Sequence, residues 1–108
     1  MVFYGARMQG RLRLDVEPAG DTTTVRVVGE VDLATSPQLR ECLTGLDGNV
    51  VVDLTEVGFL DSSGLNALIG SKNHLTTSGG TLRLRGAQPH VRRVFDVMGM
   101  ADWFEFES

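Results

Sequence analysis

The chain has 108 residues, 42% hydrophobic and 22% charged, with a net charge of −4 and a single cysteine, which is the make-up of one globular domain and leaves no room for a second. A chain of this length buries roughly two thirds of its unfolded surface, so it folds without disulfides or metal, and Cys42, lacking a Cys or His partner at metal-ligand spacing, points to a reducing compartment, the cytoplasm. The negative charge argues against non-specific nucleic-acid binding, and neither a membrane-spanning apolar run nor a signal-peptide pattern is visible.

Residues 1–9 fit no hydrophobic period and read as a frayed extension before a domain at 10–108. Leu12, Leu14 and Val16 alternate with charged residues, which predicts a half-buried strand over 10–17. A turn from Pro18 to Asp21 leads into a β-branched run, Thr22 to Glu30, that pairs back as a hairpin. Thr35, Ser36 and Pro37 predict a helix start, because a hydroxyl can accept from unpaired amides and proline suits a first turn. Val50, Val51 and Val52, within a strand at 49–54, form an apolar run without alternation, the mark of a central strand covered on both faces.

Asp61 to Gly64 open a second helix, in which Leu65, Leu68, Ile69 and Leu75 recur at helical spacing before Gly79 and Gly80 stop it. Residues 81–85 alternate as a strand. Gln88 and Pro89 begin a third helix that points Val91, Val94, Phe95 and Met98 inward and ends at Gly99, and Trp103 to Phe106 form either a short edge strand or an apolar tail. This order predicts an α/β fold: a mixed sheet of four to five strands with three to four flanking helices.

Enzyme chemistry finds little support. The turn at 60–64 lacks the first glycine of a nucleophile elbow, and the two histidines, His74 and His90, fall on predicted helices without an orienting carboxylate in view. The lone lysine, Lys72, lies within a helix and not in a phosphate loop, and Asp53 lacks the acidic pair and lysine of a phosphoacceptor site. The arginines at 83, 85, 92 and 93 are not interleaved with stacking aromatics and read as a solvated face. No cofactor or metal is expected. What remains is a pair of hydroxyls, Ser62 and Ser63, at a helix start where unpaired amides and the dipole favour negative charge. Spacing alone leaves two readings open: one serine is an N-cap, or the pair holds a phosphorylation switch.

Asp61-Ser62-Ser63-Gly64-Leu65 after Gly58-Phe59-Leu60, with Gly29-Glu30-Val31-Asp32 upstream and Arg92 to Gly99 downstream, resembles the anti-sigma factor antagonists of the STAS domain family over roughly residues 10–106. The resemblance implies a single STAS domain and a non-enzymatic, partner-switching role. An unphosphorylated antagonist binds an anti-sigma factor that is also a serine kinase, thereby freeing a sigma factor. Phosphorylation switches it off, and a phosphatase resets it. Carried over by residue, the resemblance implies phosphorylation at Ser62 and a partner surface of Asp32, Asp61, Ser62, Ser63, Gly64 and Leu65. An alternative within the family is a non-switched accessory subunit of a lipid-transport ATPase complex.

Overall fold

The computed structural model describes the backbone of residues 5–9 and 12–107, with side chains from residue 12 onward. Six strands lie side by side in chain order: β1 (Gly5–Gln9), β2 (Leu12–Ala19), β3 (Thr22–Val31), β4 (Asn49–Leu60), β5 (Thr81–Arg85) and β6 (Glu105–Glu107). The first three pair antiparallel and the last four parallel, which makes the sheet mixed as expected. Helices α1 (Ser36–Thr44), α2 (Ser62–Thr77) and α3 (Pro89–Val97) each join consecutive parallel strands. Right-handed crossovers between strands whose order never reverses put all three helices on one face.

Burial follows that arrangement. Val16, Val25, Val52, Leu84 and Phe106 form a row across β2 to β6 in register. Leu39, Leu43, Leu65, Leu68, Val91 and Phe95 of the helices join the same core. The opposite face is polar, and one of its rows alternates in sign: Asp15, Arg26, Asp53, Arg85, Glu107. Arg26 pairs with Asp15 at 3.3 Å and Arg85 with Glu107 at 3.0 Å. Burial works to raise the Asp15 pKa, but hydrogen bonds and charge from Arg13 and Arg26 outweigh it and hold the carboxyl below its ordinary value. Val51 is buried on this face, outside the main core and flanked in register by Thr24 and Arg83. Val50, Val51 and Val52 are thus all buried, as expected of a central strand covered on both faces; on this second face long polar side chains of the sheet's own surface can seal a single valine.

Two expectations change. The strand foreseen at 49–54 continues to Leu60, and its register against β3 shifts twice. Asp53 opposes Arg26 but Glu56 opposes Val28, and Val57 opposes Gly29 but Phe59 opposes Glu30, so β4 carries one extra residue at each shift. These bulges stretch the inward spacing from two to three, and Val50, Val52, Leu54, Val57 and Leu60 are all buried. The frayed extension foreseen over residues 1–9 is corrected at Gly5–Gln9, which pair with Leu12 to Val16 of β2; residues 1–4 lie outside the described residues. Backbone pairing at a sheet edge needs no apolar alternation, so a search for period two passes over it.

The C-terminal segment is both of the things expected of it. Glu105–Glu107 add β6, and Phe104 is buried edge-on to Phe95, with ring centroids 5.3 Å apart. Lys72 fastens this segment to α2, donating to the Trp103 carbonyl with its ammonium 4.2 Å from the indole centroid.

Candidate functional site

The parallel strands β3 and β4 end together, and each hands over to a helix through a short polar turn. At the end of β4, Asp61 takes an extended conformation and its Oδ1 accepts from the amides of Ser63 (2.9 Å) and Gly64 (3.2 Å) as well as from the Ser63 hydroxyl. Asp61 is thus the N-cap of α2, and the reading in which a serine caps the helix is corrected. A carboxylate one residue earlier does the work and places its charge at the positive end of the dipole. Ser63 is half-buried and bonded to Asp61, whereas Ser62 is exposed at the first helical position and makes no side-chain hydrogen bond among the described residues.

The turn is held down on both sides. Asp61 N–H donates to the Val31 carbonyl at 3.2 Å. A Cβ on Gly64 would lie 2.7 Å from Val31 Cγ1 and 3.0 Å from Leu60 Cγ, so glycine here permits a close approach of α2 to the strand ends. Gly64 and Leu65 are buried, Leu65 completely. The structure places these two in the interior and not on the surface that the resemblance implies.

The turn after β3 is organised by Asp32. Its Oδ1 accepts from the amides of Ala34 (3.0 Å) and Thr35 (3.1 Å) and lies 3.2 Å from the Thr35 hydroxyl. That hydroxyl accepts from Asp32 N–H at 2.9 Å and lies 2.8 Å from the Glu30 carbonyl. The expected capping hydroxyl at the start of α1 is corrected: Thr35 holds the N-cap position, but its hydroxyl is turned back into the loop and makes no cap bond. Asp32 is half-buried, and Leu33 beside it is 79% exposed.

Around these turns the surface carries apolar groups that sequence reasoning missed. Among the described residues the exposed large hydrophobics are Leu33, Phe59, Val97, Met98 and Trp103, and all but Trp103 lie on the two turns, the end of β4 or the end of α3. Met98, foreseen as inward, is 49% exposed because it follows the last turn of α3, whose buried contacts are Val91 and Phe95. Phe59 lies at the second bulge of β4, in a stretch with no regular period to mark which way it faces.

Ser62 lines a shallow depression of about 260 Å³ together with His90, Arg93, Val94, Val97 and Met98 of the α3 segment. The start of α3 is fastened to the outer half of β4, with His90 Nε2 2.8 Å from the Gly58 carbonyl and Gln88 Nε2 donating to Thr55 O at 2.9 Å. Ser63 faces a different depression, of about 280 Å³, between α1 and α2. The arginine cluster divides: Arg83 and Arg85 pair with Glu107, Arg92 lies 3.7 Å from the Phe106 ring centroid, and only Arg93 reaches the Ser62 depression. Asp53 bonds Thr55 at the first bulge, and Cys42 packs against the core. Among the described residues no group of three His, Cys, Asp or Glu side chains can hold a metal, and no helix is long and apolar enough to cross a membrane.

Comparison with known proteins bears on this geometry. The family model described as "Mlab, STAS domain" matches residues 14–105. The anti-sigma-B factor antagonist of Bacillus subtilis (strain 168) is 30% identical over 100 residues, covering 90% of this chain and 92% of the relative. An anti-sigma factor antagonist from Mycobacterium paratuberculosis is 27% identical, superposes with a TM-score of 0.78, and is matched over 88% of this chain and 84% of its own. The anti-sigma factor antagonist SpoIIAA in its unphosphorylated form shares the fold, with a TM-score of 0.75, 24% identity and 88% of each chain covered. SpoIIAA in its phosphorylated form superposes with a TM-score of 0.68, at 24% identity over 88% of this chain and 91% of its own.

Proposed function

The chain belongs to the STAS domain family, and from that premise we propose that it is an anti-sigma factor antagonist switched by phosphorylation of Ser62. The unphosphorylated protein binds an anti-sigma factor that is also a serine kinase and so releases a sigma factor; the protein is that kinase's substrate and not itself an enzyme. A phosphatase restores the binding form.

The observation that carries this reading is the division of labour between neighbours. Asp61 caps α2 and Ser63 is bonded to it, which leaves Ser62 exposed and without a structural duty. The names of the B. subtilis and M. paratuberculosis relatives support the antagonist role, and SpoIIAA shows that this fold occurs in phosphorylated form. The Asp32 turn, with exposed Leu33, and the apolar groups Phe59, Val97 and Met98 offer a partner surface around Ser62.

The switch is electrostatic and steric. Phosphate adds about −1.5 to −2 charge, which the N-terminus of α2 favours by roughly 0.3–1 kcal/mol; nearby Asp61 opposes it by a similar amount across a screened surface. Stability therefore barely moves. At an interface the same dianion must lose its water, and against acidic or apolar partner groups this lowers affinity by orders of magnitude.

The test is a pull-down with unphosphorylated protein, followed by incubation of the captured partner with ATP and mapping of the phosphate by mass spectrometry. A kinase that modifies Ser62 in the wild type, binds Ser62→Ala protein normally and leaves it unmodified is the expected result. Phosphate on Ser63 or Thr55 instead, or capture of lipid-transporter subunits, refutes the reading, and labelling of Ser62 by a fluorophosphonate would indicate acyl-transfer chemistry.

A further inference from the structure

We infer that a phosphate on Ser62 is received within the same chain by Arg93, so that phosphorylation links the start of α2 to α3; this deepens the functional reading above and rests on Ser62 as the modified residue. Ser62 and Arg93 come from different helices yet line one depression, and both are exposed. Their relative placement is fixed, because the Asp61 cap bonds the start of α2 to β3 while His90 and Gln88 bond the start of α3 to β4.

Arg93 also stands apart from most arginines on the molecule. Arg13, Arg26, Arg83 and Arg85 are in ion pairs and Arg92 is stacked on Phe106, whereas Arg93 has no ion pair among the described residues. Its guanidinium presents a planar fork of donors that matches two phosphate oxygens at once. The α3 side chains beside it, Val94, Val97 and Met98, are apolar and bring no competing acceptor. The other charged or titratable groups at this spot are His90, which lines the same depression, and Asp61, whose Oδ1 already accepts three donors.

The consequence is that one modification alters the surface twice. The phosphate fills the depression, and the Arg93 cation that a partner would meet there is consumed. A phosphatase must then draw the phosphate away from Arg93 before hydrolysing it.

The experiment uses full-length protein carrying phosphoserine at position 62 by encoded incorporation, so no kinase is needed, and follows the phosphate by ³¹P NMR during a pH titration. Phosphoserine loses its second proton near pH 6, and a bound guanidinium makes that loss easier. Arg93→Gln should raise the midpoint by about half to one pH unit, roughly a three- to tenfold rise in proton affinity. Arg93→Lys, which keeps the charge without the fork, should fall between. Arg92→Gln removes the same charge one residue away and should leave the midpoint unchanged. Equal shifts in the Arg92 and Arg93 variants, or none in either, overturn the inference. A kinase that ignores Ser62 would refute the functional reading without changing this titration, so the two failures are told apart.

Discussion

Replacing Asp61 with alanine removes the one carboxylate that starts α2, and the size of the effect follows from the hydrogen bonds that carboxylate makes. Two backbone amides, at 2.9 and 3.2 Å, and the Ser63 hydroxyl are deprived of their acceptor together. Truncating an N-cap costs about 0.5–2 kcal/mol, and losing a negative charge at the positive end of the helix adds roughly 0.3–1 kcal/mol. Water can reach this half-buried turn and recovers part of the loss, so Asp61→Ala should cost about 1.5–2 kcal/mol, a melting temperature lower by about 7–9 °C for a domain of this size. Asp61→Asn keeps an oxygen acceptor and loses only the charge, and should cost less than half as much. Paired thermal and urea melts of the two variants read both numbers. An Ala variant that melts with the wild type, or an Asn variant as unstable as the Ala variant, would refute the account of this cap.

Asp32→Ala should lower stability by about 1 kcal/mol, since the exposed Ala34 amide is met by water once freed and the Thr35 amide keeps the Asp32 carbonyl at 3.2 Å as an acceptor, and should also weaken partner capture; Asp32→Asn should melt like the wild type yet still bind weakly, and full binding by the Asn variant would show a purely structural aspartate. Gly64→Ala should cost about 1–3 kcal/mol, because its Cβ would lie 2.7 Å from Val31 Cγ1 and force α2 outward; an unchanged urea midpoint would contradict the close approach. The Asp15 pKa is lowered in the folded chain, so its contribution to stability is complete above about pH 5 and is lost as pH falls below about 4 toward the native value. Asp15→Asn should therefore flatten the acid limb of the stability curve without steepening it at neutral pH, and an acid limb unchanged from the wild type would show that the pairing with Arg13 and Arg26 has no thermodynamic weight.

The elements of this fold were legible where a period was strong and local. The strands around Leu12 to Val16 and Thr81 to Arg85, and the helix bearing Leu65, Leu68 and Leu75, lie where alternation and helical spacing put them. Legibility failed where the backbone departs from an ideal lattice. The two bulges of β4 reset the inward phase at Val57 and Leu60, so a reader counting by twos stops at Leu54. For the same reason Phe59 gave no sign that it faces outward. Capping was visible as a region but not as an assignment: Asp61, Ser62 and Ser63 are all good N-caps by type, and the register of the first helical turn decides among them. Arg93 beside Ser62 was not readable at all, since the rest of α2 and all of β5 separate the two in sequence.

The cap at Asp61 has a consequence for how such a surface can change over many generations. The residue that starts the helix and the residue that meets the solvent are adjacent but different, so substitution at position 62 is nearly invisible to folding. Had the exposed hydroxyl itself been the cap, every chemical change to it would have frayed the helix, and signalling would have been tied to loss of structure. If Ser62 is the acceptor proposed above, a single codon separates a domain that carries a covalent mark from one that does not, at almost no cost in stability. That freedom lets one scaffold drift between the two roles while its core stays unaltered.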